Sequence, residues 1–180
     1  KISDVDPLFI ATMYAMDRYK FLSELNNALQ TYDVVLLDRY VYSNIAYQCA
    51  KVNNNEINTL KDWILDFEFN FLKLPFADLT IFLNVPIEVI QKRLSFKRQG
   101  LDRDYLNGND DIHEADIELQ KRVHKLYLDL IEGSINSAII NCVTQVGLDE
   151  NKHFYEFDAN SIFNNYKKYL DIVLSQTHLK

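Results

Sequence analysis

An acid and an arginine stand side by side at Asp38-Arg39, closing the apolar run Val34-Val35-Leu36-Leu37 and opening Tyr40-Val41-Tyr42-Ser43-Asn44-Ile45-Ala46-Tyr47-Gln48. A carboxylate in such a place can hold Mg²⁺ through water, and a guanidinium can fork onto a phosphate. An Asp-Arg pair that only caps the following helix is the plainer alternative. The neighbours favour chemistry. Residues 34–37 are apolar, β-branched in part and without alternation, which predicts a strand buried on both faces of a parallel sheet. Ligands of open α/β sheets bind beyond the carboxyl ends of such strands. A helix predicted over about 42–51 sets Asn44, Tyr47 and Gln48 on one face at i, i+3, i+4, so that two amides and a phenol flank the strand's end. Upstream, Asp6-Pro7 reads as an N-cap followed by proline at N1. The helix it opens has an apolar face of Leu8, Ala11, Ala15, Leu22, Leu25 and Leu29 through about Gln30. Tyr14 and Arg18 lie one turn apart on it and can reach toward a common point.

The remaining elements supply a scaffold and a second basic cluster. Glu56 to Lys73 reads as a helix around Trp63, Ile64, Phe67, Phe71 and Leu72, an aromatic stripe expected in the core. Leu79-Thr80-Ile81-Phe82-Leu83 predicts an interior parallel strand. Pro86 opens the next helix, with Ile87, Ile90 and Leu94 on its buried side. That helix carries Arg93, Lys97 and Arg98 and runs into Gln99-Gly100-Leu101-Asp102-Arg103-Asp104. A basic helix end, a glycine and a polar loop suit a lid over 93–113. Arg93, Arg98 and Arg103 are each candidates to stabilise charge on a transferring phosphoryl group, against the alternative of a solvated basic face. His113 reads as structural or as a hinge contact. Asp110 and Asp111 suit an N-cap for an amphipathic helix through Leu119, Val123, Leu126, Tyr127, Leu130 and Ile131, ended by Gly133. Residues 138–140 and 142–143 are read as a strand or an irregular insertion, 153–157 as a last parallel strand, and Asp158 as the cap of a final helix to about Ser175.

At 180 residues and 48% hydrophobic content, the chain is long and apolar enough for one folded domain. A net charge of −7 argues against a nucleic-acid surface, though not against a few local arginines on a nucleotide. The two cysteines, Cys49 and Cys142, fit neither a metal spacing nor a disulfide framework, which suits buried thiols in a reducing cytoplasm. No apolar run approaches a membrane span, so no membrane partner is expected.

The stretch from Asp38 to Gln48 resembles the Asp-Arg-Tyr-Val-x-Ser-Asn-x-Ala-Tyr-Gln signature of thymidylate kinases. Met13-Tyr14-Ala15-Met16-Asp17-Arg18 is similar to that family's Phe-x-x-Asp-Arg block. Arg93 to Arg103, followed by Asn109-Asp110-Asp111-Ile112-His113-Glu114, is similar to its lid and the helix after it. The three blocks keep the family's order, and the resemblance covers roughly residues 5–132. It implies an α/β, three-layer P-loop-kinase-like fold: a parallel sheet flanked by helices, in one nucleoside-monophosphate-kinase-like domain over 1–180. It also implies transfer of the ATP γ-phosphate to dTMP, giving dTDP, with Mg²⁺ as cofactor. On the same ground Tyr14 stacks on thymine, where the family more often has Phe. Arg18 bonds a base carbonyl, Asn44 reads the Watson–Crick edge and Tyr47 packs against the 2′ side of the sugar; Gln48, on the same helix face as these last two, is a further substrate-binding candidate. Arg39 holds the dTMP phosphate, and Asp38 supports metal and acceptor. A homodimer through the helices at 7–30 and 42–51 is a further expectation.

One family feature has no counterpart in this sequence. The four glycines, Gly100, Gly108, Gly133 and Gly147, precede no Lys-Ser or Lys-Thr pair, so there is no G-x-x-x-x-G-K-[ST] loop to cradle ATP. The expectation is that an N-terminal strand, P-loop, helix and strand, more than ~30 residues as one βαβ unit, is missing. The chain is then either a fragment of a longer kinase or a degenerate copy. Two other functions stay open at this level: a deoxynucleoside kinase, which has less use for Arg39 together with the Tyr14–Arg18 pair, and a non-catalytic nucleotide-binding remnant.

Overall fold

The computed structural model describes residues 5–95, 117–146 and 153–177, in two compact units, 1–76 and 77–180. The first unit is helical. Asp6 accepts the backbone N–H of Leu8 at 2.7 Å and Pro7 takes N1, which starts α1 (Pro7–Lys20) where the sequence predicts. The expected run to Gln30 is broken at Phe21, whose φ of −90° and ψ of 0° end α1. A new helix, α2 (Leu22–Thr31), follows and buries Leu25. Next come α3 (Val41–Cys49), α4 (Ile57–Leu65) and a π-helical segment, Asp66–Phe71.

Residues 34–37 are the main departure from expectation. The segment belongs to no strand, and Leu36 is 89% exposed. Strand propensity needs a neighbour to pair with, and the first unit has no strand among its described residues. The core of this unit forms instead where α3 packs between α1 and α4. Val41, Ile45, Ala46 and Cys49 of α3 are buried, as are Ile64 of α4 and Ala11 and Ala15 of α1. The two alanines let the backbone of α1 come close to α3. Ile45 and Ile64 each contribute about 1.5–3 kcal/mol by leaving water.

The second unit supplies the parallel pairing. Strands β1 (Thr80–Asn84) and β2 (Ser137–Asn141) run parallel in a register from Thr80 against Ser137 to Asn84 against Asn141. The crossover between them holds α5 (Ile87–Ser95) and α6 (Ile117–Glu132). Helices α6 and α7 (Ala159–Thr177) both pack on β2, so helices flank the sheet of a mixed α/β fold. Asp158 caps α7 as expected, accepting from the backbone of Asn160 and Ser161 at 2.9 and 3.0 Å.

Of the two alternatives for 138–140 and 142–143, the structure takes the strand: residues 137–141 are β2 and Val143–Val146 form β3. The predicted last parallel strand, β4 (His153–Glu156), instead pairs antiparallel with β3, Val143 against Glu156 and Val146 against His153. Only residues 147–152 join the two. A link that short suits antiparallel neighbours, whereas a parallel pair needs a crossover of roughly a dozen residues.

Candidate functional site

The site is assembled within the first unit, from α1, α3 and the π segment. Asn44 is on α3, one turn before Gln48, and is 4% exposed. Its Nδ2 donates to the carbonyl oxygen of Ala11 at 3.0 Å and to Oε1 of Glu68 at 2.9 Å. Both amide protons are thereby used, so the side chain presents only its oxygen. That Oδ1 is buried and has no hydrogen-bond partner among the described residues. The Asn44 side chain is therefore left with an acceptor and no spare donor.

Glu68 is fully buried, and it is held by a second residue of the set. Arg18 donates from Nε to Oε2 at 2.6 Å and from Nη2 to Oε1 at 2.5 Å. The fork occupies one edge of the guanidinium and leaves its other N–H groups in directions that Glu68 does not use. A buried carboxylate with one partner would be costly. Here two side chains, Arg18 and Asn44, supply three donors to it.

The sequence reading passed over Glu68, and the π segment explains why. The buried positions run Leu60, Ile64, Glu68 and Leu72, a spacing of four throughout. At about 3.6 residues per turn a four-residue series drifts off one face, and the wider π turn offsets that drift. The aromatic stripe is displaced toward the surface in consequence. Trp63, Phe67 and Phe71 stack at 4.8 and 5.4 Å, and Phe71 is 72% exposed, so it is not the expected core residue. An acid at the third place of a Leu-Ile-x-Leu series was the available signal.

Around this centre the motif residues take distinct places. Tyr40 donates its hydroxyl to the carbonyl oxygen of Pro75 at 2.8 Å. Burial, with the charge of Glu68, pushes its phenol up to about 12. Arg39 has φ of +67°, a left-handed backbone that a residue with a Cβ seldom adopts, and its guanidinium lies 5.4 Å from the centre of the Tyr47 ring. Strain of this kind persists where the surroundings fix it, and it collects at ligand clamps. Tyr14 is half exposed on α1 and Asp38 is exposed in the turn before α3. Gln48 is 1% exposed, and its oxygen accepts from Lys51 Nζ at 3.1 Å. The structure thus joins Arg18 and Asn44 through Glu68, and Arg39 with Tyr47, while Gln48 is engaged with Lys51.

A family model described as thymidylate kinase matches residues 1–153. The chain belongs to the thymidylate kinase family. Thymidylate kinase of Mycobacterium tuberculosis (strain CDC 1551) is 36% identical over 121 residues, covering 67% of this chain and 55% of that protein. A probable thymidylate kinase of Thermococcus onnurineus is 31% identical over 137 residues, covering 76% and 58%. One from Methanococcus vannielii is 32% identical over 123 residues, covering 68% and 51%. The chain spans just over half the length of these curated relatives.

Of the lid arginines read from the sequence, Arg93 falls on α5 and its side chain is not among those described, while Arg98 and Arg103 lie outside the described residues. No cluster of three or more metal-ligating side chains occurs among the described residues. Asp38 is an exposed carboxylate in the turn before α3. Its chemistry is compatible with Mg²⁺, an ion that keeps several waters and takes one or two carboxylates together with substrate phosphates. Among the described residues no helix is long and apolar enough to cross a membrane.

Proposed function

We propose that the native protein is a thymidylate kinase, transferring the γ-phosphate of ATP to dTMP to give ADP and dTDP. The observation that carries this reading is the polarity of the pair Asn44 and Arg18. Asn44 offers a lone acceptor, and Arg18, beside it on Glu68, offers donors. Thymine carries N3–H next to the O4 carbonyl, a donor beside an acceptor, and so complements them. Cytosine presents a bare N3 next to an amino group and mismatches both. Because Oδ1 is buried, base entry is coupled to a local rearrangement that opens it.

The other roles follow from the match of each residue to the thymidylate kinase motif. Tyr14 stacks on the base and Tyr47 closes the 2′ side of the sugar. Arg39, forked on the dTMP phosphate, aligns it for in-line attack on the γ-phosphorus. Mg²⁺, held through water by Asp38 and by the phosphates, would neutralise charge on the transferring group. Arg93, Arg98 and Arg103 are assigned to a lid over 93–113 that covers the transfer. Gln48 supports the motif helix.

The protein is further assigned to the cytoplasm, to a single kinase-like domain and to a homodimer. Phe9 and Met13 of α1, 58% and 55% exposed, support a partnered face on that helix. Titration calorimetry of the native protein with dTMP and with thymidine tests the acceptor reading. Binding of dTMP at least tenfold tighter than thymidine is expected from an arginine-held phosphate. Equal affinity, or preference for thymidine, would favour a nucleoside kinase.

A further inference from the structure

We infer that Glu68 is a positioning residue that sets the polarity of the base site, holding Asn44 as an acceptor and Arg18 as a donor and so excluding cytosine. The inference rests on the thymidylate kinase reading and adds to it the group that enforces the choice of base. A carboxylate can only accept, so the side chain of Asn44 must turn its NH₂ toward Oε1. Ala11 O enforces the same orientation from α1, at 3.0 Å. The amide cannot flip without setting two oxygens against a third in a buried place, at a cost of several-fold in population for each lost bond.

Arg18 is fixed by the same atoms. Oε1 is shared between Arg18 Nη2 and Asn44 Nδ2, so neither residue can move without disturbing the other. An ion pair kept for stability alone would require only Arg18, and two apolar side chains can replace such a pair at little cost. The shared oxygen and the use of both Asn44 protons are unexplained by that role. The backbone supports the placement. The 67–72 bond of the π turn, Leu72 N to Phe67 O at 2.9 Å, and the bond from Leu74 N to Glu68 O at 3.0 Å pin residue 68. A π turn in place of an α turn keeps the acid on the buried face, the kind of irregularity that collects at functional sites.

Glu68→Gln separates positioning from packing. The volume is kept, but the Gln NH₂ replaces one carboxylate oxygen and faces an N–H of Arg18 whichever way it turns, so the shared anchor is lost and Asn44 is held by Ala11 O alone. An Asn44 amide held by one bond instead of two turns more readily to present N–H to the bare N3 of cytosine. In the native full-length protein, the ratio of kcat/KM for dTMP over dCMP is expected to fall at least tenfold. The change should lie mainly in KM for dTMP, with kcat at saturation little altered. A merely structural acid would lower stability and leave the ratio unchanged, and an unchanged ratio in an active, folded variant overturns the inference.

If the wild-type protein does not phosphorylate dTMP, the functional reading fails and not the polarity argument. If Glu68→Gln does not fold, wild-type protein labelled at the Asn side chains decides by NMR. Both Asn44 amide protons should be protected from water, with a hydrogen-bond coupling to the Glu68 carboxyl carbon. Exchange of either proton at the rate of a solvated amide overturns the inference.

Discussion

Arg18 and Glu68, fifty positions apart in the chain, form a two-point ion pair in which Glu68 is wholly buried and the Arg18 side chain is 20% exposed. The pair fastens α1 to the π segment, and through Asn44 it includes α3. Removing one partner leaves a buried charge uncompensated. Arg18→Met, which orphans the buried Glu68 carboxylate, is therefore expected to cost about 3 kcal/mol or more in urea unfolding. The double change Arg18→Met with Glu68→Met should cost less than Arg18→Met alone, because it leaves no orphaned charge. A double variant as unstable as the single one would contradict the pairing.

Arg39 gives a prediction of opposite sign for stability and function. Its φ of +67° is one that glycine adopts without strain. Arg39→Gly is expected to leave stability unchanged or raise it by up to about 1 kcal/mol. KM for dTMP should rise more than tenfold. A variant that is destabilised by more than 1 kcal/mol would show that the side chain of Arg39 holds the turn.

Tyr40 carries a pH dependence. Its phenol is raised to about 12 by burial first and by Glu68 second, against an ordinary value of 10. The unfolded chain loses that proton near pH 10 while the folded protein keeps it. Tyr40 therefore adds stability that is fully present below pH 10 and is lost as pH rises through about 12. Subtracting the ultraviolet titration of Tyr40→Phe from that of the wild type should isolate one phenol ionising near 12. A difference spectrum centred at 10 would contradict the buried placement.

Cys49 is buried on α3, and its thiol is pushed up to about 11 by desolvation. Too little thiolate forms near neutrality for ready reaction. Cys49 should resist a disulfide reagent at pH 7.5 in the folded protein and react once urea unfolds the chain. Reaction at the rate of a free thiol would mean that α3 opens readily.

The parts legible in the sequence were those set by local chemistry. The Asp6-Pro7 start of α1, the Asp158 cap of α7 and the apolar β1 run each depend on a few adjacent residues, and each appears in the structure. Residues 34–37 misled because strand propensity says nothing about whether a partner lies alongside. The orientation of β4 was set by the short link before it, not by its own composition. Glu68 was hidden for another reason. Its role depends on a π turn that keeps a four-residue series in register, and on Arg18 and Asn44, which are distant in the chain. An α-helical wheel favours the neighbouring aromatic stripe.

The most direct test is transfer of labelled γ-phosphate from ATP to dTMP by the native full-length protein with Mg²⁺, followed by separation of the products. Labelled dTDP is expected, formed in proportion to ADP, with little labelled product when dCMP is the acceptor. ATP hydrolysis without dTDP, or equal transfer to dCMP, would contradict the thymidylate kinase reading.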